Sequence, residues 1–169
     1  LLMMLQAGQG GVPAVALYYG RTIPLEEFRT FDIVVVEPDH GHDPVRYQAS
    51  GSTLYAYVSV AEAHPSRAYY ANIPPSWKMA RNGQWNSDVL DQTPEAWPDF
   101  FATRVVGPLW ERGYKGFFLD TLDSYRLAEK FDETAQQEGL VRVIETLHRR
   151  FPGIRLILNR GFDIVPKVR

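Results

Sequence analysis

The hydrophobic positions of this chain fall into short runs separated by polar segments, and their pattern predicts alternating strands and helices. Near-continuous apolar runs, which are typical of strands buried on both faces, occupy residues 14–20, 32–38, 53–60, 116–122 and 154–160. Apolar residues three and four apart predict a helix from 140 to 151, with further helical segments at 24–28 and 94–112. A kink is expected at Gly107-Pro108, because proline removes a helix hydrogen bond. The alternation of strand and helix predicts a parallel sheet covered by helices.

Two architectures fit this alternation, an open doubly wound sheet and a (β/α)8 barrel. No GxGxxG motif follows the first strand and no phosphate loop occurs, which weakens the nucleotide-binding forms of the open sheet. Residues 43–51 predict a weak helix or loop, and residues 162–169 a final helix or loop. Residues 61–92 are rich in proline and glycine, and we expect them to form a long irregular loop of functional importance.

The composition is that of an ordinary globular protein, with 45% hydrophobic and 22% charged residues. A net charge of −2 offers no basic patch for nucleic acid. The absence of cysteine excludes disulfides and thiolate catalysis. Aromatic residues, at 13%, indicate either a large core or a cleft that stacks on sugar rings. No apolar run reaches the ~18 residues of a membrane-spanning helix.

The first residues, LLMMLQAG, combine a short apolar run with small residues. We expect residues 1–12 to be either the remnant of a secretory signal peptide or a disordered terminus. Residues 13–169 are then expected to form one domain, since a chain of 169 residues is close to the length of a single domain.

The residues at which the apolar runs stop are informative, because parallel sheets bind ligands at the carboxyl ends of their strands. Polar or acidic side chains stand there in every case: Tyr19, Glu37, Ser59, Glu62, Asp120, Asp123, Asn159 and Arg160. Any one of them can be a helix cap or a surface residue, and Asp123 in particular can cap the helix that follows it. Carboxylates gathered at one end of a sheet repel one another, so a set of them indicates a chemical use.

Two carboxyl groups on either side of a scissile bond are the usual apparatus of glycoside hydrolysis. One carboxyl group must be protonated so that it can give its proton to the leaving oxygen, and the other must be ionised to act as nucleophile or as base. Aromatic residues in the loop 61–92 can form a sugar-stacking wall or can simply pack the loop: Tyr69, Tyr70, Trp77 and Trp85.

Other chemistries find less support. His40 and His42 in the stretch DHGHD have the HxH spacing of a zinc site, but Gly41 makes this a flexible turn and His64 is the only other nearby imidazole. We therefore expect no metal site. Serine-triad chemistry lacks a GxSxG elbow.

A series of motifs is similar to a known family. The stretches YYG, FDIVVVEP, AYVSVAE, QWNSDVLD, GYKGFFLDTLDSY and LNRGF, in this order, resemble glycoside hydrolase family 114, the endo-α-1,4-polygalactosaminidases. The resemblance runs from about Val15 to Pro166. It implies a (β/α)8 TIM-type barrel that cleaves a partly deacetylated, hence cationic, N-acetylgalactosamine polymer. Since a full barrel needs ~250 residues, we expect this chain to hold about five or six strands of an incomplete barrel.

The resemblance also implies roles for single residues. Asp120 is expected to be one of two catalytic carboxylates, with a partner glutamate on the strand after LNRGF, beyond residue 169. Seven residues are expected to bind the sugar, with the acidic ones forming a negative cleft: Tyr19, Glu37, Tyr57, Glu62, Trp85, Asp123 and Asn159. The family often has Gly-Glu where this chain has Ala61-Glu62, which tightens the cleft without removing the carboxylate.

Location and partners follow from the same resemblance. It implies a periplasmic or secreted domain at the N-terminal part of a hydrolase, with the polysaccharide and exopolysaccharide export proteins as partners and without a metal or organic cofactor. One alternative is a catalytically inactive barrel that binds polysaccharide and scaffolds an export complex. Another is a deacetylase, whose Asp-His-His metal set the DHGHD turn matches poorly.

Overall fold

The computed structural model describes residues 2–5, 13–48 and 53–168 of the chain. These residues form two compact units that interleave along the sequence. Unit 1 comprises Leu1–Tyr57, Pro108–Phe118 and Arg155–Ile157. Unit 2 comprises Val58–Gly107, Leu119–Ile154 and Leu158–Arg169.

Strands and helices alternate as the hydrophobic pattern predicts. The strands of the described residues are β1 (Leu2–Leu5), β2 (Val15–Tyr18), β3 (Ile33–Val36), β4 (Thr53–Ser59), β5 (Glu62–Ala63), β6 (Lys78–Asn82), β7 (Ser87–Leu90), β8 (Gly116–Asp120) and β9 (Arg155–Leu158). The α-helices are α1 (Pro44–Gln48), α2 (Trp97–Phe100), α3 (Gly107–Glu111) and α4 (Glu133–Arg150). Short 3-10 helices occupy Leu25–Phe28, Pro38–His40, Tyr70–Asn72, Pro75–Trp77, Ser124–Leu127 and Phe162–Lys167.

The main sheet has the order β1-β2-β3-β4-β8-β9. β2 pairs in parallel with β3, and β3 with β4, while β1 runs antiparallel to β2. A doubly wound sheet reverses its strand order at a switch point, whereas here each strand lies beside the next one of the sheet in the sequence. This order is the one expected of consecutive barrel strands. The predicted α/β class, with five or six strands, is confirmed.

Strands β3 and β4 carry buried side chains on both faces, which explains their near-continuous apolar sequences. One face of the sheet in unit 1 carries Val35, Tyr55 and Phe118, packed with Leu17 and Tyr57 among others. The alternate residues of β3 and β4 are also fully buried: Val34, Val36, Leu54 and Ala56. All five predicted strands are confirmed; β1 was not predicted as a strand.

The expectation for residues 1–12 can be compared with the structure only at residues 2–5. Leu2–Leu5 form a strand rather than a frayed end. Residues 6–12 lie outside the described part of the chain, and the expectation of a signal-peptide remnant in residues 1–12 stays a prediction. The predicted helix or loop at 43–51 is a helix over Pro44–Gln48, and Gly51 is again outside the described residues.

The predicted irregular loop at 61–92 is wrong in its main feature. This segment contains a second sheet, of order β5-β7-β6, in which both pairs of neighbours are antiparallel. The pattern concealed these strands because β7 buries two polar residues, Ser87 and Asp88, beside its apolar ones. Both polar side chains have hydrogen-bond partners, which is the condition for burying them.

The predicted helix 94–112 is present but shorter and composite. It begins at Trp97, passes into a π-helical segment over Phe101–Val106 and ends with α3. Pro108 has no N–H to donate, and the irregularity expected at Gly107-Pro108 takes the form of the wider π register immediately before it.

Helix α4 begins seven residues before its predicted start at Leu140. Asp132 caps it, with its side chain accepting a hydrogen bond from the Ala135 N–H at 3.0 Å. The first turns escaped the periodicity because the positions they bury are Gln136, Gln137 and Gly139 rather than apolar residues. No helix of the described residues combines the length and apolar character needed to cross a membrane.

Candidate active site

Asp120 is the last residue of β8 and follows the fully buried Leu119. The Asn159 side chain, just past the end of β9, donates from Nδ2 to Asp120 Oδ1 at 2.8 Å. The Asn159 backbone N–H donates to the Leu119 carbonyl at 2.9 Å, which fixes the register of the two strand ends. The structure thus brings together two of the residues that the sequence predicts, and the amide orients the carboxylate.

The residue after Asp120 has an unusual backbone. Thr121 has φ +64°, in the left-handed region that a β-branched residue rarely adopts. Such a conformation costs about 1–3 kcal/mol and persists only where surrounding contacts hold it. The Thr121 hydroxyl lies 2.8 Å from Ser59 Oγ and accepts from the Ala61 N–H at 3.0 Å. Sequence reasoning missed Thr121, because nothing in its residue type indicates a left-handed backbone.

Asp123 begins the 3-10 helix Ser124–Leu127 but does not cap it, because its side chain makes no capping hydrogen bond. The capping alternative for Asp123 is therefore wrong. Its Oδ2 instead accepts from Arg160 Nη1 at 3.2 Å. Arg160 is 73% exposed, so this ion pair adds little stability, but it offsets the charge that Asp123 was expected to contribute to a negative cleft.

Glu62 differs more from its expected place. Its side chain lies in β5 and is only 6% exposed. Oε1 accepts from Asn82 Nδ2 at 3.1 Å and from Ser124 Oγ at 2.5 Å. Oε2 accepts from Asn82 Nδ2 at 3.2 Å and from Ser87 Oγ at a shorter distance. The carboxylate is enclosed by neutral donors instead of facing an open cleft.

The aromatic residues of segment 61–92 divide between packing and exposure. Trp77 packs edge-on against Trp97 and Phe100, with ring centroids 5.9 and 5.6 Å apart. The Tyr70 hydroxyl donates to Asp88. Trp85, in the turn between β6 and β7, is 67% exposed. Of these three side chains, Trp85 is the one with a free face for stacking on a sugar ring.

Three further predicted residues lie in unit 1. The rings of Tyr19 and Tyr57 meet edge to face with centroids 5.1 Å apart, and Tyr57 stacks on Phe118 at 6.3 Å. Glu37 caps the 3-10 helix Pro38–His40, since its Oε1 accepts from the Asp39 N–H at 3.2 Å. These contacts assign each of the three a packing or capping role within unit 1.

A cleft of about 240 Å³ lies beside Asp123 in unit 2. Its walls combine charged, polar and apolar side chains: Leu122, Asp123, Tyr125, Arg126, Gln137, Leu140, Arg160, Phe162, Asp163 and Ile164. Phe162 is 72% exposed. Asp120 does not line this cleft.

The DHGHD turn does not gather metal ligands. His40 Nδ1 and His42 Nε2 each lie 3.3 Å from the same acceptor, the Gly20 carbonyl oxygen. Burial lowers the pKa of His42, with the bond to Gly20 acting in the opposite sense. Among the described residues, no group of three or more His, Asp or Glu side chains is arranged to hold a metal ion.

Comparison with solved structures finds several glycoside hydrolases. The glycoside hydrolase domain of PelA from Pseudomonas aeruginosa matches 93% of this chain at 36% sequence identity and a TM-score of 0.80. Ega3 of Aspergillus fumigatus, solved in complex with galactosamine, matches 91% of the chain at 14% identity and a TM-score of 0.70. The α-galactosidase TtGalA of Thermus thermophilus matches 89% at 17% identity and a TM-score of 0.61. The last two likenesses show the fold alone.

The chain spans 64% of the length of the PelA domain and 61% of that of Ega3. The motifs quoted above also resemble those of the hydrolase domain of PelA, and the match to its structure agrees with this resemblance. A comparison with curated protein sequences finds no match. The model of the glycoside-hydrolase family GH114 matches residues 8–169. The chain therefore belongs to glycoside-hydrolase family GH114.

Proposed function

We propose that this protein is a glycosidase that cleaves an α-1,4-linked, partly deacetylated N-acetylgalactosamine exopolysaccharide of the Pel type. Family membership supports the reaction class. The similarity to the PelA hydrolase domain, at 36% identity, supports a substrate of the Pel type. Ega3, whose fold this chain shares, was solved with galactosamine. The substrate is a cationic polymer wherever its amino groups are free.

The observation that carries this proposal is the placement of Asp120. Its carboxylate stands at the carboxyl end of a buried strand, is oriented by the Asn159 amide and precedes the strained Thr121. Unusual backbone held by surrounding contacts clusters at active sites. A short side chain on a rigid strand end loses little rotamer freedom, so its oxygens stay where a glycosidic bond can meet them.

The chemistry needs a second carboxyl group. One carboxylic acid transfers its proton to the glycosidic oxygen as the bond to the leaving sugar breaks. The other, ionised, either attacks the anomeric carbon or takes a proton from the water that does so. We assign Asp120 one of these roles and place its partner glutamate on a strand beyond residue 169.

Substrate contacts are proposed for exposed and aromatic groups. Trp85 offers a stacking face to a sugar ring. Asn159 orients the Asp120 carboxylate through its side-chain hydrogen bond. That Tyr19, Tyr57 and Glu37 bind the sugar stays a prediction from the sequence. We also propose a periplasmic or secreted location and a partnership with exopolysaccharide export proteins, on the same similarity to PelA that supports the substrate.

The test is the Asp120→Asn variant of a hydrolase domain that also contains the strand proposed beyond residue 169, assayed for oligosaccharides released from galactosamine-rich polymer. Asparagine can still accept the hydrogen bond from Asn159, so folding should persist, while the loss of a catalytic carboxyl lowers kcat by at least ~10²-fold. Asp99→Asn is the matched control, because Asp99 is 74% exposed on α2 and should leave kcat unchanged.

Turnover retained by Asp120→Asn would contradict the assignment of this residue. A wild-type domain that contains this further strand and binds the polymer without releasing fragments would contradict the glycosidase proposal itself. That second result would favour the alternative of an inactive, polysaccharide-binding barrel.

A further inference from the structure

Glu62 is a buried carboxyl group, and each of its two oxygens accepts two hydrogen bonds. A carboxylate offers about four acceptor positions on its two oxygens. Asn82, Ser87 and Ser124 fill them with four contacts, two on each oxygen. Glu62 therefore has no position left for a sugar hydroxyl or ammonium group, and its role must be exerted through the residues that it holds.

The donors come from three segments of unit 2. Asn82 is the last residue of β6, Ser87 is the first of β7, and Ser124 belongs to the turn after β8. Asn82 and Ser87 are partners across the β6–β7 pair, and Glu62 lies in β5, which pairs with β7, so the first two contacts stay within the small sheet. The third contact is different in kind, because it ties the turn at residues 121–124 to the sheet.

That turn is anchored at both ends. At its start, Thr121 is held by Ser59 and by the Ala61 N–H. At its end, Ser124 is held by Glu62. Residues 59, 61 and 62 are near neighbours in the chain, so one short segment holds the turn at two points. Asp120 immediately precedes the first of these points, and its own carbonyl accepts from the Val60 N–H at 3.0 Å.

We propose that Glu62 is a positioning residue for Asp120. Through Ser124 it holds the turn at residues 121–124 in its strained conformation, and this turn sets the direction of the Asp120 carboxylate. The relevance to catalysis rests on the function proposed for Asp120, but the positioning itself does not. The alternative is that Glu62 only stabilises the small sheet through Asn82 and Ser87.

Two matched variants separate these roles. Ser124→Ala and Ser87→Ala each remove one hydroxyl donor from the same carboxylate, but only the first releases the turn. Both side chains are buried, at 8% and 4% exposure, so the two variants should lower the Tm by similar amounts. If Glu62 positions Asp120, Ser124→Ala shifts the 13C resonance of the Asp120 carboxyl and the amide resonance of Thr121, whereas Ser87→Ala leaves both in place.

The kinetic expectation follows the same split. Ser124→Ala should lower kcat on galactosamine-rich polymer at least about tenfold with KM within about twofold, and Ser87→Ala should keep both within about twofold. Ser124→Thr keeps the hydroxyl and should restore the wild-type resonances. Equal resonance shifts in the two alanine variants, or none in either, would overturn the proposal.

Glu62→Gln gives a second route if the alanine variants do not fold. Its Oε1 can still accept from Ser124, while the Ser87 hydroxyl can rotate to accept from the new amide. We expect the Thr121 resonance to stay near its wild-type position in Glu62→Gln; a clear displacement of this resonance would count against the tether. Resonance shifts as expected together with no hydrolysis in the wild type would refute the glycosidase and leave the positioning intact.

Discussion

Four carboxylates of unit 2 illustrate how strongly a side chain's partners decide its role. Asp120 is paired with an amide, Asp123 with an exposed guanidinium and Glu62 with hydroxyls and an amide. Asp88 is paired with two cations and a phenol. All four are acidic residues near strand ends, yet one is oriented by an amide beside a strand end, one forms a surface ion pair and two are buried in the internal framework; we propose catalysis for the first alone.

The surroundings of Asp88 lead to a prediction about how the stability of the protein depends on pH. Burial raises the pKa of this carboxyl, but hydrogen bonds from Tyr70, Arg81 and Lys78 outweigh it and hold the pKa below its ordinary value. When the pKa is lower in the folded state than in the unfolded state, the ionised carboxyl stabilises the fold at pH values above the unfolded-state pKa of about 3.9. This stabilisation is lost as the pH falls through the folded-state pKa.

We therefore expect Asp88→Asn to lower the free energy of unfolding by on the order of 1–2 kcal/mol at neutral pH. The difference from wild type should shrink below about pH 4, as the wild-type carboxyl takes up its proton. Denaturant unfolding at a series of pH values measures this, with Asp99→Asn as the control. A difference that stays constant from pH 7 to pH 3 would argue against the ion-paired carboxylate.

The site was predictable from the sequence only where chemistry and position coincide. Asp120 and Asn159 follow apolar runs directly, and parallel strands bring their ends together. Glu62 satisfied the same rule, but its enclosure depends on Asn82 and Ser87, which lie in strands that the apolar pattern did not reveal. The conformation of Thr121 depends on contacts with residues 59 and 61, about sixty positions earlier in the chain.

At the scale of elements, helix α4 contains a glycine at an interior position, where glycine is ordinarily unfavourable. Gly139 lies in the helix interior, where alanine is ordinarily better by about 1 kcal/mol. A Cβ at this position would lie 2.0 Å from the Gln92 carbonyl oxygen and 2.8 Å from Gln92 Cβ. Gln92 is itself fully buried and bonded to Gln136 and Trp97, so it cannot move aside.

Gly139→Ala should therefore destabilise the protein, against helix propensity, by about 1–3 kcal/mol. Thermal unfolding followed by circular dichroism measures the effect. Gly83→Ala is the control, since a Cβ there meets nothing within 4 Å and its stability should stay within about 0.5 kcal/mol of wild type. An increase in Tm for Gly139→Ala would contradict the close approach of α4 to Gln92.

Elements with strong apolar periodicity were predicted well, and those built on polar contacts were not. The strands β2, β3, β4, β8 and β9 of the main sheet follow from apolar runs such as IVVV. The start of α4 and the strands β5, β6 and β7 rest instead on buried Gln, Ser and Asp side chains, whose partners are distant in sequence. Hydrophobic pattern reports burial of apolar groups, so it has no means of indicating polar groups that are buried because they are paired.

At the scale of the whole molecule, the order of the main sheet places β3 between two parallel neighbours. The side chains of Val34, Val35 and Val36 are all fully buried. By contrast, the 3-10 helix Phe162–Lys167 exposes Phe162 and Val165. Local opening is easiest where few apolar contacts and exposed hydrogen bonds occur together, so the two segments should differ in local stability.

We expect the amides of Val34–Val36 to exchange with solvent at least about a thousandfold more slowly than those of Phe162–Lys167. Native-state hydrogen exchange followed by NMR or mass spectrometry measures this contrast. Equal protection of the two segments would show that the molecule opens as one unit and that the sheet centre has no special stability.

The enclosure of Glu62 has a consequence for how the sequence can drift over evolutionary time. Four positions, 62, 82, 87 and 124, form one closed arrangement of acceptor and donors. An apolar replacement at position 62 would leave the three donor side chains without their shared acceptor. An apolar replacement at one donor position would remove only one donor from the carboxyl group. Lineages that exchange the acid should therefore change the other three positions with it, so that the four vary as a block or not at all.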